Sequence, residues 1–473
     1  MFHDTAAVES TPRRWRFWLL VLGLPLLIVA LSGVGWMVKT AGALNAAVAE
    51  ADRTDPRWRF EDIQADRTTP PPGQNGADKI LAVQALKPRG WPDVEKDRLL
   101  SDLPPANLLN DQQIAALKDQ LGKAGPALAE ARTLIATPRG RHPITYAPNW
   151  IGTLLPTIQA AREAVALLRY DVLDKGQNGD ADGAIRSCHA CLNAGCSIGD
   201  EPMLIAQLVR IACQAVAVNL LERALAQGEP SEAVLAALQA RLEATESEPL
   251  LLYGLRGERA GGYQLFSAMR NGTASPANAL GGGGPGGLPS SISMLSNVPG
   301  FMLTQQTGHL EFMTRMVEIA RRPPEEWAGP LATEQAAANE LPVLARMLVP
   351  ATAKMAEACV RNHASLRCAI VAVAAERYRG QHGQWPATPD DLVKAGLLKA
   401  VPTDPYAAGQ RIKFARPKDG LIVYSTGPDG IDNGGNLDPS SYPPKPGTDR
   451  GLRLWDVPAR RQPPLPPKAA EAP

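Results

Sequence analysis

Residues 17–38 read FWLLVLGLPLLIVALSGVGWMV, twenty-two positions without a single charge. As a helix rising about 1.5 Å per residue, the run covers roughly the hydrocarbon thickness of a bilayer. Arg13, Arg14 and Arg16 stand immediately before it, and only Lys39 follows closely. Cations beside a span stay on the cytoplasmic side, so a cytoplasmic tail over 1–16 and an extracytoplasmic body after Lys39 are expected. Trp15, Trp18 and Trp36 fall near the two ends, where indole rings favour the membrane interface. A cleaved secretory signal has a shorter apolar core, about 7–15 residues, which favours a retained signal-anchor. Ala47-Val48-Ala49 leaves cleavage open as the alternative. Pro25 would kink a membrane helix rather than break it.

Outward from this run the composition is helical. Aromatic residues are 5% while apolar residues total 45%, so Ala, Leu and Val carry the core. Lys and Arg number 49 against 48 Asp and Glu. That balance produces no global field to draw nucleic acid, and the basic residues are interleaved with acids rather than striped with aromatics. Prolines at 70–72, 88, 92 and 104–105 break the text over 39–110, which reads as a membrane-proximal Pro-rich stalk with one or two short helices.

From Asp111 the pattern turns helical, with Ile114, Leu117 and Leu121 on one face behind an Asn110-Asp111 cap. Further helices are expected near 125–136, 151–175, 181–195, 201–227, 230–246 and 249–270. Gly/Pro turns at 176–179 and 228–230 suggest antiparallel helical hairpins. A Gly/Pro/Ser stretch over 272–300, including Gly281-Gly-Gly-Gly-Pro-Gly-Gly287, cannot bury enough surface to fold and is expected to be a mobile linker. Helical pattern resumes at 302–321 and 333–382. The helical domain is therefore bounded at 111–360, and 441–473 is proline-rich and expected to be a disordered tail.

The most legible soluble stretch is 361–440. An Ala/Val-rich helix runs into Arg379-Gly-Gln-His-Gly-Gln-Trp-Pro386, and a second is capped by Thr388 or Asp390. An extended corner, Val401-Pro-Thr-Asp-Pro405, follows. Residues 411–416 and 421–425 alternate as two strands joined by Pro417-Lys-Asp-Gly420, a hairpin turn. The second strand opens into Tyr-Ser-Thr-Gly-Pro-Asp-Gly-Ile-Asp-Asn-Gly-Gly-Asn-Leu-Asp438. Three aspartates, two asparagines and four glycines on one bent loop offer the oxygens that calcium takes six to eight at a time. An Asp/Asn/Gly turn with solvated polar groups would read the same.

These motifs resemble the globular head of the type II secretion major pseudopilin over about 75 residues. That head also carries a long helix ending in Tyr-Arg…His-Gly…Trp-Pro, an Asp-Pro corner, a small antiparallel sheet and a Tyr-Ser-x-Gly-x-Asp-Gly loop. The resemblance implies calcium held by Ser425, Asp429, Asp432 and Asp438. The chain departs from that family because its apolar helix lacks the processing site and is separated from the head by about 325 residues. It is not expected to polymerise as a pilin. As a whole the chain resembles membrane-anchored envelope proteins of planctomycete-type genomes, which implies location and fold but no chemistry.

Other signals are weaker. Cys188-His189-Ala190-Cys191, near Cys196 and Cys213, has short metal-like spacing. It sits in an amphipathic helix without a second ligand pair, so packed core thiols are the first reading and a disulfide the second. Asn178-Gly-Asp-Ala-Asp-Gly183 opens like an EF-hand, but His189 stands where the bidentate Glu belongs, and a helix turn capped by Asp180 or Asp182 fits better. No phosphate loop, dinucleotide fingerprint, nucleophile elbow or His-Glu-x-x-His occurs.

The expected architecture is mainly α: one transmembrane helix, an extracytoplasmic helical-hairpin array and a small α+β pseudopilin-head-like C-terminal module. The function that follows is a single-pass, non-enzymatic envelope protein in protein interaction or scaffolding, linked to secretion by the resemblance. Its partners would be the membrane and another envelope protein, not nucleic acid. The competing reading is an envelope enzyme built on Arg162, Glu163, Arg169, Asp200, Glu201, Arg256, Glu258 and Arg259.

Overall fold

The computed structural model describes residues 13–276, 295, 298, 300–438 and 447–466. It is mainly helical with one small sheet. Helix α1 (Arg13–Thr54) runs 42 residues through Pro25 without interruption. Its two halves differ. Residues 21–39 are exposed apart from two half-buried glycines. From Leu44 onward the helix packs through Ala47 and Ala51 against Trp58 and Leu310.

The segment read as a stalk is instead part of the body. It folds into α2 (Phe60–Asp66), α3 (Gly76–Leu86) and α4 (Val94–Leu99). Ile80, Val83, Trp91, Leu100 and Leu109 enter the main core. The prolines lie between these short helices and leave Ile80 and Val83 of α3 free to pack, and burial of such side chains contributes about 1.5–3 kcal/mol apiece.

Helices α5 (Asp111–Lys123) and α6 (Gly125–Arg132) lead into α7 (Pro156–Gln177), α8 (Ala181–Cys196), α9 (Leu204–Ala226), α10 (Glu232–Glu246) and α11 (Leu250–Arg270). Helices α7, α8 and α9 pack on one another, and α10 lies across α8. The caps follow the sequence. Asn110 and Gln113 form a capping box on α5. Asp180 accepts from Gly183 N at 2.8 Å to start α8, while Asp182 accepts from Ser231 N at 2.7 Å ahead of α10.

Three helices follow the Gly-rich stretch: α12 (Phe301–Ala320), α13 (Ala328–Ala337) and the short α14 (Val343–Arg346). The linker expected at 272–300 lies largely outside the described residues. The long α15 (Val349–His382) and α16 (Pro389–Lys394) precede an antiparallel sheet ordered β1 (Lys413–Ala415), β2 (Gly420–Ser425), β3 (Arg450–Trp455).

Strand β3 corrects the expected tail. It pairs with all of β2, Val423 opposite Leu452, and buries Leu452 and Leu454. Beyond it, Gln462 N donates to Ala106 O at 2.7 Å and Leu108 N to Gln462 O at 2.9 Å. The C-terminal module is thus continuous with the body. One core cluster joins Leu220, Leu221 and Leu235 to Val371, Leu421 and Leu454.

Candidate functional site

The loop after β2 is where chemistry was expected, and the structure divides its four predicted ligands. Ser425 is buried and its hydroxyl donates to Asp404 Oδ1 at 2.7 Å. Asp404, fully buried, also accepts from Thr426 N (2.8 Å), Thr426 Oγ1 (3.0 Å) and Tyr406 N (3.0 Å). This aspartate of the Val-Pro-Thr-Asp-Pro corner is the carboxylate that ties the corner to the end of β2. Its polar role was hidden by a motif read only as a bend.

Asp429 and Asp432 lie exposed on the loop. Asp429 accepts from Ile431 N and Gly447 N, both at 3.1 Å. Those N–H donors hold its carboxyl below the usual range. Asp432 accepts from Lys413 Nζ (2.8 Å), Tyr424 OH (3.0 Å) and Gly434 N (3.0 Å), and the lysine hydrogen bond leads in lowering its pKa. Asp438, half-buried, has partners of its own. A further carboxylate, Asp449, accepts from Asn433 N (3.1 Å) and Gly435 N (2.7 Å). It lies in the stretch read as tail, so no loop motif could have found it.

The Ser425 hydroxyl is therefore committed to Asp404, and Lys413 already neutralises Asp432. Among the described residues no group of three His, Cys, Asp or Glu is arranged to hold a metal ion. As arranged, these residues fit a loop closed by its own donors better than a cation's shell of six to eight oxygens.

The charged residues of the helical body sort into separate clusters. Glu201, fully buried, pairs with Arg67 Nη1 at 2.8 Å and accepts from Tyr146 OH at 2.9 Å. Burial pushes its pKa up against the pull of Arg67. Asp200 joins the same arginine at 3.2 Å. Asp55, at the end of α1, takes Arg256 Nε at 2.9 Å and also Arg259. Burial opposes ionisation at Asp55, but the Arg256 hydrogen bond and the Arg259 charge outweigh it and lower its pKa. Glu258 accepts from Trp150 Nε1 (3.2 Å) and Leu204 N (3.1 Å). Glu163 meets Lys87 at 3.2 Å, Arg169 meets Asp97, and Arg162 is exposed. These contacts hold helix ends and loops together rather than converging on one cleft.

All six cysteines are free and buried. Burial pushes the Cys213 thiol up to about 12, so it is protonated and unreactive at neutral pH. A cavity of about 450 Å³ lies between α12, α13, α15 and the Pro405-Tyr406 corner, walled by Phe312, Met316, Leu331, Val349 and Val360. Compared with family models, curated proteins and solved structures, the chain matches none of them.

Proposed function

We propose that this chain is a single-pass, membrane-anchored envelope protein whose helical body and C-terminal module act in protein interaction or scaffolding. The observation that carries this reading is α1. Its residues 21–39 are bare while its remaining turns are packed into the body. An exposed apolar helix of that length is unfavourable in water and favourable in lipid. Arg13, Arg14 and Arg16 against Lys39 favour a cytoplasmic N-terminus.

Carbonate-washed membranes test the anchor. The full chain should stay in the pellet, and a chain lacking 1–38 should move to the supernatant; a full chain that washes off sinks the reading. Protease added to spheroplasts should degrade the body. Protection until the cells are permeabilised would reverse the orientation.

A pseudopilin-like role for the module is supported by the long α15 leading into a small antiparallel sheet. Calcium at its loop would have to displace Lys413 from Asp432. A melting temperature that rises in millimolar calcium, and no longer does so in Asp432→Ala, would support such a site; an unchanged temperature leaves a self-closed loop.

A further inference from the structure

Helices α1 and α12 run parallel, which fixes which end of the body faces the span. Gly300, just before α12, sits beside Trp36 and Thr40, so closely that a Cβ there would lie 3.1 Å from each. At the other end Arg321 Nη1 donates to Thr54 O at 2.8 Å. Helix α11 runs the opposite way. Its residue Arg256 meets Asp55 at 2.9 Å, while Gln306 Nε2 donates to Ser267 Oγ at 2.7 Å near its C-terminus. Helix α14 is held at the same end, with Leu344 N donating to Gln305 Oε1 at 2.9 Å. Leu295, Val298, Gly300, the end of α11 and α14 therefore gather where α1 leaves the body.

Two properties of that end agree. It exposes large apolar side chains: Leu295 is 45%, Val298 40% and Met347 44% accessible. Among the described residues, 36–44, 262–276, 300–310 and 343–347 carry no carboxylate. Along α1 and α12 the first acids are Glu50 and Glu311, about 15 Å further along the helix axes. Glu61 accepts from Gln264 Nε2 at 3.1 Å on the side of α11, and Arg346 Nη1 donates to Asn339 O at 3.2 Å, next to Glu340. The charges that do occur are Lys39, Arg270 and Arg346, all exposed. Exposed apolar side chains with exposed cations beside them match the acyl boundary and phosphate layer of a bilayer.

We propose that this end of the body is a lipid-contacting face, with Leu295, Val298 and Met347 seated in the interface and Lys39, Arg270 and Arg346 on headgroup phosphates. The proposal rests on the anchored reading of α1. It adds that the body lies against the membrane instead of standing away from it.

The test uses the full chain in vesicles of phosphatidylcholine and phosphatidylglycerol containing a headgroup-level nitroxide lipid. Because the native cysteines are buried, single exposed cysteines can carry an environment-sensitive fluorophore. Val298→Cys reports the proposed face and Ile28→Cys the span. Ser247→Cys, just before α11, reports the far end, about 30 Å or more from Arg270 along that helix. Quenching at 298 but not at 247, with 298 emission shifted to the blue relative to 247, is the expected result. Quenching at 28 by an acyl-chain nitroxide with none at 298 by the headgroup-level nitroxide would overturn the proposal while leaving the anchor intact. If 28 also stays unquenched by that acyl-chain lipid, the anchor reading falls, and this proposal with it.

Discussion

Helices α1 and α9 are both long and apolar enough to cross a membrane, yet they occupy opposite environments. In α1 the apolar run is bare. In α9 most of it is buried, and the helix carries Gln207, Arg210, Gln214 and Arg223, all buried and all engaged with other parts of the protein. Arg210 donates to Gly199 O at 3.0 Å and pairs with Glu248 at 2.6 Å. Arg223 donates to Pro104 O at 2.9 Å and Asn107 O at 3.0 Å. Hydrophobicity alone does not separate an anchor from a core helix; the buried polar groups with protein partners do.

Removing one such partner should give the largest effect. Arg210→Ala leaves Glu248 and the Gly199 carbonyl without their cation, and losing one member of a buried pair costs about 3–5 kcal/mol. Glu248 keeps some contact with water, so about 3 kcal/mol is expected, read as a lower urea midpoint at unchanged m. Membrane retention of the folded fraction should not change. A variant as stable as the parent would break the comparison from the α9 side.

The mirror experiment places a charge in α1. Leu27→Arg should cost about 3–4 kcal/mol of insertion free energy, measured as the fraction retained in washed membranes. The denaturant midpoint of the body should stay where it was. A shifted midpoint would mean that the bare half of α1 is folded against the protein after all.

Acid should sharpen the contrast further. His142 and His309 are buried and held down to about 4 from an ordinary 6.5, chiefly by burial. The unfolded chain therefore takes up protons first. Stability is fully present above about pH 6.5 and falls as the pH drops toward 4, by roughly 1.4 kcal/mol per pH unit for each histidine. His309→Gln should remove about one such slope from a pH series of urea midpoints. An unchanged slope would show that His309 is already protonated in the folded state.

The smallest effect belongs to a cap beside the buried helices. Asp180→Ala deprives Gly183 N of its acceptor and should cost about 1 kcal/mol in thermal unfolding. No measurable loss would mean that packing alone fixes the start of α8.

What could be read in the sequence was local. The uncharged run 17–38, the Asn110 and Asp180 caps and the β1–β2 hairpin depend on neighbours a few positions away, and the structure places each where its pattern indicated. Strand β1 came out shorter than read, over Lys413–Ala415, while β2 begins one residue earlier, at Gly420. What could not be read was non-local. Residues 39–110 look like a stalk because their prolines are visible, whereas the core that receives Ile80 and Trp91 lies on α5, α7 and their neighbours. Strand β3 is six residues in a proline-rich tract, and only its pairing with β2 makes it a strand. The loop's aspartates were legible as residue types but not as partners of Lys413 and backbone N–H groups.

The hydrogen bonds between 106–108 and Gln462 also set a timetable. About 350 residues separate the two strands of that contact, and at 5–20 residues per second the ribosome needs roughly 20–70 s to deliver the second after the first. Until then β2 has only β1 beside it, and the edge that β3 occupies is open. The last segment of the chain, from Arg450 to Gln462, therefore closes both the sheet and the contact with 106–108.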